Sequence, residues 1–197
     1  MRMQKLTEQQ SQEFIRSRRS VFPKEFEPGS ITKEEVTKLL EVARWAPTHK
    51  LTQPWRFSVI MGDAKETLID LQLKALFAQV DQDDVARTKA TKFRFNAERS
   101  AAIVAVVMRR DELARVPRYE EEWAVACAVQ NIHLHARSKD IGMYWSTGAS
   151  TNSPDIRKWL NVSKDDVHMG WLYLGRFAQT KERAKERMDV MDFISWK

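Results

Sequence analysis

Residues 122–136 read EWAVACAVQNIHLHA, and the fold turns on this stretch. It holds no glycine or proline and is rich in alanine, so it predicts a helix, extending over about 119–139. Its apolar residues run nearly all round the helix rather than along one stripe, which marks a helix buried on most sides, within a core or a subunit interface. On either side of it lie two short β-branched or aromatic runs, AAIVAVVM (101–108) and MGWLYLGRF (169–177), which read as interior strands.

Further out, helix starts carry a cap and its partner: Thr32 with Glu35, Asp63 with Glu66, and Ser153 before Pro154. These signals predict helices near 6–18, 32–46, 64–80, 83–98 and 153–160 beside the central one, and strands near 56–61, 101–109, 143–147 and 169–176. Helices fall between most strands without the regular alternation of a parallel doubly wound sheet, so the expected class is α+β in three layers. With 197 residues and 43% hydrophobic content, the expectation is one domain over 1–197, with no repeat or linker.

The only cysteine, Cys127, lies in the central apolar stretch and is expected to be a buried small hydrophobe. With no disulfide possible inside the chain, no membrane-length apolar run and no signal-peptide pattern in MRMQKLTEQQ, a cytoplasmic setting without a membrane partner is expected. The net charge of +6 favours anionic partners without choosing among them. No G-x-G-x-x-G, phosphate loop or G-x-S-x-G is present. His133 and His135 point to different sides of one helix, so no metal site is expected.

Three segments remain. Arg18-Arg19-Ser20 closes the first predicted helix, where two guanidiniums and a hydroxyl suit a phosphate; opposing the helix dipole is the alternative use for the arginines. The loop APTHKLTQPW (46–55) is stiffened by Pro47 and Pro54 and presents Thr48, His49, Lys50 and Gln53. Trp145-Ser146-Thr147-Gly148 closes a short strand with two hydroxyls and a glycine, or forms an ordinary turn.

In this order and spacing, RRSVFPKEF, ITKEEVTKLLEVARWAPTHKLTQPWRFSVI, VPRYEEEWAVACAVQNIHLHARSKDIGMYWSTGA and MGWLYLGRF resemble the nitroreductase family of flavoproteins, in its minimal bacterial branch, over nearly the whole chain. The resemblance implies a nitroreductase-like three-layer α-β-α fold with a central, mainly antiparallel sheet, and an intertwined homodimer with one FMN per subunit at the interface. It implies two-electron transfer from NADH or NADPH through FMN to a nitroaromatic, quinone or similar small-molecule acceptor, by a ping-pong scheme. Dehalogenation or flavin fragmentation on the same fold is the alternative task. A basic nucleic-acid-binding module is the rival from another class, opposed by the dispersion of the basic residues among 27 acids.

Carried over by position, Arg18, Arg19 and Ser20 match the motif that holds the FMN phosphate and ribityl chain. Trp45, His49 and Gln53 match loop positions that reach the flavin across the interface, and Trp145, Ser146 and Thr147 match a segment lining it. Arg187, with Lys185, matches a basic pair for the phosphate, while Lys181 and Arg183 compete for that role, and a solvated charge run is the alternative reading of the cluster. Arg19 and then Lys50 are the candidates for compensating charge on the reduced flavin. Residues near His135 to Asp140 fall where some relatives meet the nicotinamide. Leu51 stands where many relatives carry asparagine.

Overall fold

Residues 5–78, 84–148, 151, 153–178 and 187–197 are described by the structure, a computed structural model. The run 101–108 forms a strand, Ala102–Met108, in which every residue is buried. It is β2 of four strands, with β1 at Trp55–Ile60, β3 at Ile141–Ser146 and β4 at Val167–Arg176. They make one antiparallel sheet in the order β1-β2-β4-β3, so the two most apolar strands take the interior places.

Side chains alternate between the two faces of this sheet. Val104, Val106, Met108, Leu172 and Leu174 enter one core, and Ile103, Ala105, Trp171 and Tyr173 enter the other. Helix α5, Arg118–Arg137, packs on the first face through Val125, Ala128, Val129 and Ile132, beside α2, Lys33–Glu41, which brings Val36 and Leu39. On the second face lie α3 (Ala64–Phe77, through Leu68 and Ile69), α4 (Asp84–Arg99, through Ala97) and α6 (Pro154–Trp159, through Ile156). Full burial of a Val, Leu or Ile side chain is worth about 1.5–3 kcal/mol, so these two layers of contacts hold the three-layer α+β arrangement together.

The helix starts follow the cap chemistry unevenly. Thr32 and Glu35 exchange both hydrogen bonds of a capping box, at 3.1 and 2.8 Å, and Thr7 and Gln10 form a second one at the start of α1, Glu8–Ser17. Asp63 makes no side-chain cap, because its own backbone is already helical (φ −62°, ψ −25°) and turns the carboxylate away from the free N–H groups. Ser153 makes none either, although Pro154 takes the first helical position as expected.

One expectation fails. Cys127 is exposed, not buried. Helix α5 commits one face to the sheet, and the side chains of Tyr119, Trp123, Cys127 and Gln130 follow one another along the opposite face at helical spacing. Trp123 is 62% exposed and Tyr119 51%, with their rings 4.6 Å apart. The carboxyl-terminal residues 187–197 are all exposed as well, including Val190, Met191, Phe193, Ile194 and Trp196. Among the described residues no helix is long and apolar enough to cross a membrane.

Candidate functional site

Helix α1 ends where Arg18 turns into extended backbone (φ −62°, ψ 130°). Arg19 then folds its guanidinium back onto the carbonyls of Arg16, at 2.5 Å, and Arg18, at 2.9 Å. Arg19 thus serves the helix end, as a cation at a C-terminus should. Arg18 behaves differently: it is half-buried, and burial, then Arg187, then Arg19 lower its pKa. Arg18, partly desolvated, therefore lies close to the like charge of Arg187, which is itself exposed. Neither forms an ion pair among the described residues. Nearby, a small cavity of about 20 Å³ is lined by Arg19, His133, Arg137, Asp140, Met143 and Phe177, and the buried Nε of Arg137 has no hydrogen-bond partner among the described residues. A partly buried guanidinium such as that of Arg18, with no ion pair among the described residues, favours a bound anion, and its planar fork fits the oxygens of a phosphoryl group.

The anchor segment is fastened to the sheet just beyond exposed Ser20. The Val21 amide donates to the Met143 carbonyl of β3 at 3.0 Å, and Phe22 packs on Tyr144 at 4.7 Å between ring centroids. Two residues farther along β3 begins Trp145-Ser146-Thr147. A bulge in β4 at Met169 frees that residue's carbonyl, which accepts a 2.9 Å hydrogen bond from the Trp145 indole N–H. Gly170, at φ +113°, lets β4 pass so closely that a Cβ there would lie 2.5 Å from the Ser146 carbonyl. Arg18, Arg19, Ser20, Arg187 and the Trp145–Thr147 segment thus share one neighbourhood, around the carboxyl-terminal part of α5.

The proline-bounded loop sits elsewhere. The His49 Nδ1–H donates to Glu120 at 2.5 Å and the Lys50 ammonium to the Arg115 carbonyl at 3.0 Å, both at the amino-terminal end of α5. Lys50, Leu51 and Gln53 all have positive φ (50°, 52° and 45°), and the Thr48 hydroxyl accepts from the Gln53 amide at 3.1 Å to hold the turn. Three non-glycine residues in that region within four positions make a strained loop of the kind found at binding sites. Gln53 and His49 are exposed, and Trp45 is 76% exposed with the Arg44 guanidinium 5.6 Å from its ring centroid. Beneath the loop, Glu121 is buried, bonded to the Arg110 guanidinium and the Asp111 amide, and fixes this end of α5.

Within one chain the two clusters are held at opposite ends of α5: Glu120 beside the loop and His133 beside the anchor are about 20 Å apart at 1.5 Å per residue. Sequence spacing could not show this separation. Three contributors also escaped it, His133, Met169 and Gly170, while Arg137, inside the His135–Asp140 segment, was not placed at this cluster, because its orphaned nitrogen is visible only in three dimensions. Only Gly170 left a signal, as a glycine inside an otherwise bulky strand. Lys181, Arg183 and Lys185 lie outside the described residues. Among the described residues no group of histidine, cysteine and carboxylate side chains is placed to hold a metal.

The model of the nitroreductase family matches residues 15–176. The YdjA protein of Escherichia coli strain K12, whose name places it among the NAD(P)H nitroreductases, is 35% identical over 144 residues, 73% of this chain and 76% of YdjA. Among solved structures, a nitroreductase-like protein from Bacillus cereus superposes with a TM-score of 0.79 at 25% identity, covering 100% of this chain and 99% of the other. A Bacteroides fragilis nitroreductase with bound FMN shares the fold at a TM-score of 0.71 and 21% identity, over 94% and 98% of the two chains. The matched family model spans both the anchor and the central helix, and this chain belongs to the nitroreductase family.

Proposed function

We propose that the protein is an FMN-dependent NAD(P)H oxidoreductase whose flavin sites are each shared between two copies of the chain. The observation that carries this reading is the half-buried Arg18, which lies close to the like charge of exposed Arg187 and has no ion-pair partner among the described residues. A phosphoryl group between them would cancel the repulsion, with the Ser20 hydroxyl as an added donor; each charge-assisted hydrogen bond is worth roughly 1.5–3 kcal/mol. FMN, when bound, would take a hydride from NADH or NADPH and pass two electrons to a nitroaromatic, quinone or similar acceptor in separate half-reactions.

The residues of the chain then bind and orient. Arg18 and Arg187 hold the phosphoryl end, Arg19 keeps the end of α1 in place, and Trp145, pinned by Met169, offers a fixed aromatic wall beside Ser146 and Thr147. The partner copy supplies the loop. A two-fold axis crossing α5 would lay Tyr119, Trp123 and Cys127 against their counterparts, as isologous interfaces require, and would carry the Glu120 end of one helix to the His133 end of the other. Trp45, His49 and Gln53 of one chain would then reach the anchor of its partner. The exposed apolar tail 187–197 supports the same association, since so many uncovered apolar side chains are unusual on a monomer.

The purified protein is expected to be yellow, with an absorption band bleached by NADH or NADPH. Arg18→Ala should remain folded and lose flavin; equal occupancy in wild type and variant would overturn the phosphate assignment.

A further inference from the structure

His133 is almost fully buried in α5 and is not one of the residues expected to touch the flavin. Its Nε2 lies 3.0 Å from the Met143 carbonyl. A carbonyl only accepts, so Nε2 carries the proton of the neutral ring. That carbonyl also accepts from the Val21 amide at 3.0 Å. One oxygen therefore joins three parts of the site: the segment that follows Arg18-Arg19-Ser20, the central helix, and the strand that leads to Trp145-Ser146-Thr147. The imidazole also borders the small arginine-lined cavity.

We propose that His133 is a positioning residue that couples its own protonation to occupation of the anion site: a phosphoryl group bound beside Arg18 is accompanied by proton uptake at His133 Nδ1. The proposal rests on the FMN reading of the site. With Nε2–H committed to Met143, Nδ1 is where a second proton must enter. The charges around the ring are those of Arg18 and Arg19 from the end of α1, Arg137 from α5, Asp140 from the turn after it, and Arg187 from the carboxyl-terminal segment through its approach to Arg18. Cations dominate, and in their field a buried imidazolium is disfavoured; burial first, and then Arg18, hold the His133 pKa below its ordinary value. A phosphoryl dianion reverses that field, and opposite charge favours the charged form of a titrating group.

The test is a titration of the histidine ring signals by NMR, on apoprotein, on FMN-loaded protein and on apoprotein with riboflavin. The four histidines make assignment by single variants practicable. The midpoint of His133 is expected to move to higher pH with FMN and to stay at the apoprotein value with riboflavin, which lacks the phosphate. An unchanged midpoint with FMN bound, or an equal shift with riboflavin, would overturn the coupling. Absence of FMN binding, read from the absorption spectrum of the same samples, would instead strike at the FMN reading itself. His133→Gln, whose amide can still donate to Met143, should bind FMN with an affinity that loses part of its pH dependence between about pH 5 and 7, near the ordinary histidine pKa. Unaltered pH dependence in that variant would also contradict the proposal.

Discussion

At the residue scale, two positions show how closely the Trp145–Thr147 segment is held from behind. Gly170 has φ +113° and no room for a Cβ, which would meet the Ser146 carbonyl at 2.5 Å. Gly170→Ala is expected to cost about 1–3 kcal/mol, the usual range for a residue forced into such a conformation, and to weaken FMN binding by displacing Ser146 and Thr147. Urea denaturation of the apoprotein and flavin titration read the two effects separately, and wild-type values in both would contradict the packing described. His168 is the second position: its Nδ1 lies 2.8 Å from the Thr151 carbonyl and its Nε2 3.2 Å from that of Gly170. Burial, above all, lowers the pKa of both His133 and His168. The unfolded chain therefore accepts protons that the folded chain refuses. Stability should be level above pH 7 and fall as pH drops below the ordinary histidine value of 6.5, before the carboxylates begin to titrate. A urea midpoint that rises on acidification from pH 7 to 5.5 would reverse the assigned sign.

At the element scale, the sequence was most legible where local chemistry decides the outcome. The capping box at Thr32, the two apolar interior strands and the extent of α5 all follow from propensity and period, and they stand where expected to within a few residues. Asp63 shows the limit, because a good capping residue helps only if its own backbone stays extended, and here it does not. Cys127 shows another. Apolar composition all round α5 implied burial, but a single chain can cover only the face that meets the sheet. If a second copy covers the other face, Trp123→Glu should yield a monomer by light scattering, poor in flavin. In the wild type Cys127 should then react slowly with a thiol reagent despite its exposure in the single chain. A stable dimer in the Trp123→Glu variant would remove α5 from the interface.

At the scale of the whole molecule, the sequence marked the pieces of the site but not their separation. Arg18-Arg19-Ser20, the 46–55 loop and Trp145-Ser146-Thr147 were each visible as unusual local chemistry. That the residues flanking the first and third meet at the Met143 carbonyl, while the loop is tied to Glu120 about 20 Å away along α5, follows only from the folded chain. In the function proposed above, anchor and loop of one flavin site come from different copies. A heterodimer in which one chain carries Arg18→Ala and the other His49→Ala with Gln53→Gly, purified through two different tags, distinguishes this from a site built by one chain. A shared site places both defects together and leaves the other site intact, so one FMN per heterodimer is expected, bound with wild-type affinity. If each site belonged to a single chain, both would be impaired, and a heterodimer that binds FMN no better than its parent homodimers would rule out the shared site.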